Sequence, residues 1–134
     1  MKHTTIRAAV MDALTQKLAG TVTFFDGHPG VLEETDFPAV AVYLTDAQYT
    51  GGYTDADHWR ATLHITLFLA AQVPDAELDN WMEAHIYPAL TAIPGLDTLI
   101  ETMTPQGYDY QRDDEMAAWS SADLTYSITY FMEG

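Results

Sequence analysis

Cysteine is absent from this chain of 134 residues, and basic residues are scarce, with five lysines and arginines against 20 aspartates and glutamates. Without cysteine there are no disulfides, no thiolate zinc sites and no cysteine nucleophile. The formal net charge is −15, and beyond Lys17 the only Lys or Arg residues are Arg60 and Arg112. No basic stripe can be assembled from so few. A protein that grips nucleic acid needs one to displace phosphate counterions, and so does one that docks on anionic lipid. Long hydrophobic runs are missing too: none approaches the ~20 residues that span a bilayer. The N-terminal "MKHTTIRAAVMDALTQKL" interleaves charge with apolar residues, unlike the apolar heart of a signal peptide. These absences predict a cytoplasmic protein with no sequence-specific nucleic-acid binding and no membrane partner.

What is present is core-forming material. Hydrophobic residues make up 48% of the chain and there are eight tyrosines. That predicts one domain over residues 1–134, burying about 68–70% of its unfolded surface.

Residues 4–18 read as a helix. Ile6, Val10, Leu14 and Leu18 recur every fourth position, Thr4 or Thr5 can supply the cap, and Gly20 can end it. "TVTFF" (Thr21 to Phe25) alternates like a short strand, and "DGHPG" (Asp26 to Gly30) is turn chemistry. Pro38 opens "AVAVYL", a buried strand by composition, and a polar stretch from Thr45 to Asp57 reads as a long loop. "HWRATLHITLFLA", His58 to Ala70, carries the clearest pattern. Trp59, Ala61, Leu63, Ile65, Leu67 and Leu69 alternate with His58, Arg60, Thr62, His64 and Thr66, which predicts a long strand with one buried face.

Asp75 is the expected N-cap of a second helix whose inner face is Leu78, Trp81, Met82, His85 and Ile86, ended or kinked at Pro88. "LDTLIETM", Leu96 to Met103, keeps helical spacing and reads as a short helix. Two strands close the chain. Tyr108, Tyr110 and Arg112 share a face of the first, and Leu124, Tyr126, Ile128, Tyr130 and Met132 share a face of the second. The order α-β-β-β-α-β-β predicts an α+β fold, a mixed sheet of about five strands with two main helices packed on one face.

The chemistry-bearing candidates are thin. Asp113, Asp114 and Glu115 are consecutive, in "RDDE", between the last two strands. A turn could gather two of them around a hydrated Mg²⁺ or Ca²⁺, the basis of an alternative reading as a metal-dependent hydrolase; a solvated hairpin tip explains them better. "TDADHW" (Thr54 to Trp59) lacks the Gly and Glu positions of an EF-hand loop. His58 and His64 share a strand face but lie roughly 20 Å apart, too far to share an ion. Ser120-Ser121 lacks a nucleophile elbow, and Gly51-Gly52 has no following lysine for a phosphate loop. The expectation is therefore a non-enzyme without a cofactor, working through its surface.

Three long stretches carry a resemblance: "TFFDGHPGVLEETDFPAVAVYLTDAQYTGG", "LHITLFLAAQVPDAELDNWMEAHIYP" and "GYDYQRDDEMAAWSSADLTYSITY". Together they make the sequence similar to the minor tail protein U family of lambda-like phages, the tail terminators. The resemblance implies a homo-hexameric ring on the head-proximal end of the tail tube. Such a ring stops tube growth and offers an interface to the head-completion protein, its partners being further copies of itself, the major tail tube protein and the head connector. It also implies a virion location at the neck end of the tail, reached from the host cytoplasm during assembly, with DNA passing through the lumen. Asp75, in "VPDAELD", matches a surface aspartate associated with tube docking, and Arg112, Asp113 and Asp114 become expected contact residues. A chain at −15 repels its own copies, so a weak Mg²⁺ effect on ring assembly is expected.

Overall fold

The computed structural model describes residues 1–18, 20, 22–52 and 56–132. Helix α1 (Lys2–Lys17) is followed by strands β1 (Thr23–Asp26), β2 (Ala39–Gly52) and β3 (Asp57–Ala70), helix α2 (Asp75–Trp81), and strands β4 (Thr102–Arg112) and β5 (Trp119–Met132). The sheet order is β1-β2-β3-β5-β4. β1 runs parallel to β2 and the other pairs are antiparallel, which makes the sheet mixed and the fold α+β as expected.

Strand alternation decides which face the helices cover. Leu63, Ile65, Leu67 and Leu69 point one way from β3, alongside Val40 and Val42 of β2 and Leu124, Tyr126, Ile128 and Tyr130 of β5. Ile6, Val10 and Leu14 of α1 and Leu78 of α2 close over them. Each such side chain, taken fully out of water, contributes about 1.5–3 kcal/mol. The other sheet face is mostly polar, but at one end it carries a second apolar cluster. There Ala39, Ala41 and Phe68 pack with Leu32, and Phe25, Phe37, Tyr43 and Trp119 lean on them.

Several local expectations change. α1 begins at Lys2 with Met1 at its N-cap and no side-chain cap; Thr5 Oγ1 instead donates to the Met1 carbonyl. α2 is capped from Pro74, so Asp75 is its first helical residue and not the N-cap. After Trp81 the helix widens into a π turn, Met82–Ile86, in which the Tyr87 N–H reaches back to the Met82 carbonyl, and then ends on Tyr87–Ala89. Pro88 has no N–H to give to the preceding turn, and a wide turn is how a helix meets that deficit. "LDTLIETM" forms only the 3₁₀ turn Leu96–Thr98 before β4 begins at Thr102.

The Thr45-to-Asp57 loop is mostly strand. β2 continues to Gly52 and pairs with β3 as far as Asp57, with register shifts between Thr45 and Gln48 and between Tyr49 and Gly51. These irregularities, with Asp46 at φ 56°, break the two-residue period, so a long strand reads as a loop. Residues 53–55 of that stretch, including Thr54, lie outside the described residues, as does Thr21.

Candidate functional site

The three residues expected on one face of β4 all reach α2. Tyr108 donates its hydroxyl proton to Asp79 Oδ1 across 3.0 Å, and Tyr110 donates to the same oxygen. Burial, then the bond to Asp79, pushes the Tyr108 phenol well above its ordinary range; for Tyr110 the Asp79 bond is the leading cause. Arg112 completes the row. Its Nη1 donates to the carbonyls of Ala71 (2.8 Å) and Val73 (3.0 Å), and Nη2 to Asp75 Oδ1 at 2.6 Å. The side chain planned as a helix cap is thus held by a guanidinium, and two expected contact residues, Asp75 and Arg112, meet in one ion pair. The arrangement fixes the β3–α2 connection and the start of α2 against β4.

The acidic tip has a different job. Asp113 Oδ1 accepts from the Glu115 and Met116 N–H groups (3.1 and 3.2 Å), and Oδ2 from Ala118 N–H at 3.0 Å. A carboxylate that accepts three backbone protons is a turn-former. Those bonds, led by Ala118, hold the Asp113 carboxyl below the usual aspartate range. Asp114 and Glu115 stand exposed beside it. Among the described residues no three His, Asp or Glu side chains form a metal-ligand group, so "RDDE" does not converge as the hydrolase reading requires.

A depressed carboxyl stabilises the fold at pH values above its unfolded pKa, ~3.9, and that contribution is lost as pH falls through the lower folded value. Asp113→Asn removes it. We expect the melting temperature of wild type to drop more steeply than that of Asp113→Asn between about pH 4 and pH 2. Equal slopes would mean that the three backbone bonds do not favour the ionised form.

The uncovered sheet face carries a network that sequence reading passed over. His64 Nδ1 donates to Asp123 Oδ2 (2.9 Å), Thr45 Oγ1 lies 2.7 Å from His64 Nε2, and Thr66 donates to Asp123 Oδ1 at 2.9 Å. Tyr43 stacks on the His64 ring with centroids 4.5 Å apart. Near the start of β3, His58 Nε2 meets Glu101 Oε1 at 2.8 Å, and this bond is the leading cause that lowers the Glu101 carboxyl. Period-two alternation placed His58, His64 and Thr66 on one face. The cross-strand register that puts Asp123 opposite Thr66, and so diagonal to His64 two residues along the strand, was not in it. Ser120 and Ser121 are buried and donate to the Ala70 and Gln111 carbonyls, a structural use.

Against known proteins, the profile of the phage minor tail protein U family matches residues 1–130. The chain is 64% identical to the tail tube terminator protein of Escherichia phage N15 over 132 residues, covering 98% of this chain and 100% of that one. It is 62% identical, with the same coverage, to the tail tube terminator protein of Escherichia phage lambda. Among solved structures it superposes on a chain from the virion of a native gene transfer agent particle, with a TM-score of 0.61 over 94% of each chain. At 16% identity that last likeness concerns the fold.

Proposed function

The chain belongs to the phage minor tail protein U family, and on that premise we propose that it is a tail terminator. It assembles as a hexameric ring on the head-proximal end of the tail tube, blocks further addition of tube protein and presents the joining surface to the head-completion protein. The observation that carries this reading is end-to-end similarity to two tail tube terminators, with no part of either relative left unmatched. Its place is the neck end of the virion tail, after assembly in the host cytoplasm.

Asp75, Arg112, Asp113 and Asp114 are the partner surface in this reading. Their geometry supports such a use: Arg112 and Asp113 spend their polar atoms on shaping the β3–α2 connection and the hairpin, and Asp114 is free to meet a partner. The strong acidity supports it too, because a ring that does not bind phosphate lets DNA slide through its lumen.

Expression of this chain in cells infected with a terminator-defective lambda-like phage tests the reading. Restored plaque formation, with tails of uniform length in electron micrographs, is the expected result. Overlong tails despite soluble protein would overturn it. In light scattering, we expect the mean mass to rise when millimolar Mg²⁺ or added salt screens the −15 charge. The same mass with and without Mg²⁺ would count against assembly limited by self-repulsion.

A further inference from the structure

At the two ends of the sheet order, β1 and β4 each have a strand neighbour on one side only. Backbone alternation identifies the groups that face away. Asp113 donates its N–H to the Trp119 carbonyl at 2.9 Å, which fixes the phase of the β4–β5 pairing. Gly107, Asp109 and Gln111 therefore turn their N–H and C=O groups to β5, and Tyr108, Tyr110 and Arg112 turn theirs outward. On β1, Thr23 donates to the Pro38 carbonyl (3.0 Å) and Gly27 to the Val42 carbonyl (2.9 Å), so Val22, Phe24 and Asp26 face outward. Each edge offers three donors and three acceptors to a further strand. Sheet edges are commonly blunted by proline, bulges or charge. β4 carries its proline and its register shift at Pro105 and Gly107, and beyond them residues 109–112 are exposed and regularly paired on one side. The charge at that end, Arg112, is turned back onto Asp75 and the Ala71 and Val73 carbonyls.

Direction and charge both fit a second copy of this chain, meeting β4 with its β1. β4 runs opposite to β1, since β1 is parallel to β2 and every other pair is antiparallel. A copy that continues the sheet with its helices on the same side therefore brings β1 against β4 antiparallel, the pairing with the better bonds. The two edges also differ in local charge. α1 holds three of the five basic residues, Lys2, Arg7 and Lys17, and Arg7 reaches β1 through Asp26 at 2.5 Å. Beside β4 lies α2 with Asp75, Glu77 and Asp79, and β4 adds the exposed Asp109. β1 against β4 thus sets the basic helix toward the acidic one, whereas β4 against β4 sets acid against acid. Only the first contact is head to tail, the kind that generates rings; the second stops at two copies.

We propose that β4 of one copy takes β1 of the next as an added antiparallel strand, with Tyr110 opposite Phe24, so that one sheet runs from subunit to subunit. Tyr110 is 43% exposed and Phe24 half buried, and each gains cover from the other as a cross-strand aromatic pair. Arg112, already among the expected contact residues, ends the paired stretch opposite Val22. The inference rests on the ring assembly proposed above and names the edges through which it closes.

The test uses the full chain, whose lack of cysteine makes introduced thiols unambiguous. In this register Gln111 stands opposite Thr23 in a non-hydrogen-bonded pair, where Cα atoms are ~4.5 Å apart and within disulfide reach. Oxidation of the double variant Thr23→Cys, Gln111→Cys, in the salt or Mg²⁺ that assembles wild type, is expected to give a series of covalent multiples on a non-reducing gel. The two single variants mixed give covalent dimers, and neither alone crosslinks. Tyr110→Pro removes one outward N–H and leaves the β4–β5 bonds in place, so it is expected to weaken assembly at least tenfold at unchanged far-UV circular dichroism. Tyr110→Phe loses the phenol and keeps the N–H, and is expected to assemble far better than the proline variant. Equal loss by the two would trace the effect to the phenol and overturn the proposal. Dimers from Gln111→Cys alone would show β4 meeting β4 and overturn it as well. Where wild type assembles and rescues the phage, an uncrosslinked double variant or a fully assembling Tyr110→Pro sinks the edge pairing alone. Wild type that stays monomeric and fails to rescue sinks the ring reading, and the edge pairing with it.

Discussion

Replacing Arg112 with alanine is expected to lower phage rescue by orders of magnitude while the protein stays folded. The ion pair itself is a minor stability term. Its side chains are 44% and 58% exposed, and pairs that open to water contribute about 0–1 kcal/mol. Position is what would be lost. One guanidinium gathers the carbonyls of Ala71 and Val73 and the carboxylate of Asp75, so it sets both the path of the β3–α2 connection and the angle at which α2 leaves it. Truncation frees all three at once. Asp75→Ala is milder for the fold, because Arg112 keeps its two carbonyls, yet it deletes the proposed contact itself.

The two variants therefore separate shape from contact. If Asp75 acts by touching the partner, Asp75→Ala alone lowers rescue, and the double variant is no worse than the more damaged single one. If it acts only by orienting Arg112, Asp75→Ala rescues nearly as well as wild type. Arg112→Lys is expected to behave like Arg112→Ala, since an ammonium cannot span two carbonyls and a carboxylate with a planar fork. Rescue by Arg112→Ala at wild-type levels would remove this clasp from the function. Thermal melts alongside each assay show whether stability, which we expect to fall by no more than about 1–2 kcal/mol, explains any loss.

Ile65→Ala is expected to be the most damaging single change to the fold, at about 2–5 kcal/mol. Ile65 is fully buried at the middle of β3, the central strand, and sits between Val42 of β2 and Leu124 of β5 in the register. Its side chain faces the helices, where Ile6, Val10, Leu78 and Ile86 are fully buried as well. A cavity there is walled by two secondary-structure layers and collapses poorly. For domains of this kind total stability is about 5–15 kcal/mol, so the variant gives up a large share of it. Urea unfolding measures this directly, as a lower midpoint at unchanged slope. Ile65→Val serves as the graded control at about 0.5–1.5 kcal/mol. An alanine variant that loses less than the valine one would show that the sheet and helices do not pack as a single core at this point.

Much of the architecture was legible in particular residues. The alternation from Trp59 to Leu69 identified β3 and its buried face, and the same reading of Leu124 to Tyr130 identified β5. Tyr108, Tyr110 and Arg112 were placed on one face, and it is that face which reaches α2. Other elements were hidden for identifiable reasons. Bulges near Asp46 and Tyr49 scrambled the period of β2, which made a strand look like a loop. Asp75 looked like a cap because acids near a helix start usually are, but Pro74 took that position and a partner 37 residues away claimed the carboxylate.

The candidate site was less legible than the fold. Asp113, Asp114 and Glu115 are one short word in the sequence, yet the three backbone bonds to Asp113 set it apart from its neighbours. Likewise His64, Thr66 and Asp123 are ordinary polar residues until register joins them.

By itself the sequence determined what is local or additive: the charge, the lack of thiol chemistry, the faces of β3 and β5, and, through its long colinear stretches, the family. The tertiary structure alone decided which side chains meet. That division has a physical cause. Periodicity and composition are set by neighbours a few residues apart, whereas Arg112 with Asp75, His64 with Asp123, and Trp119 with Phe68 are joined by strand pairing and helix packing. A register shift of a single residue would turn the side chains of the slipped strand to the other face, and nothing in a local window distinguishes one register from the next.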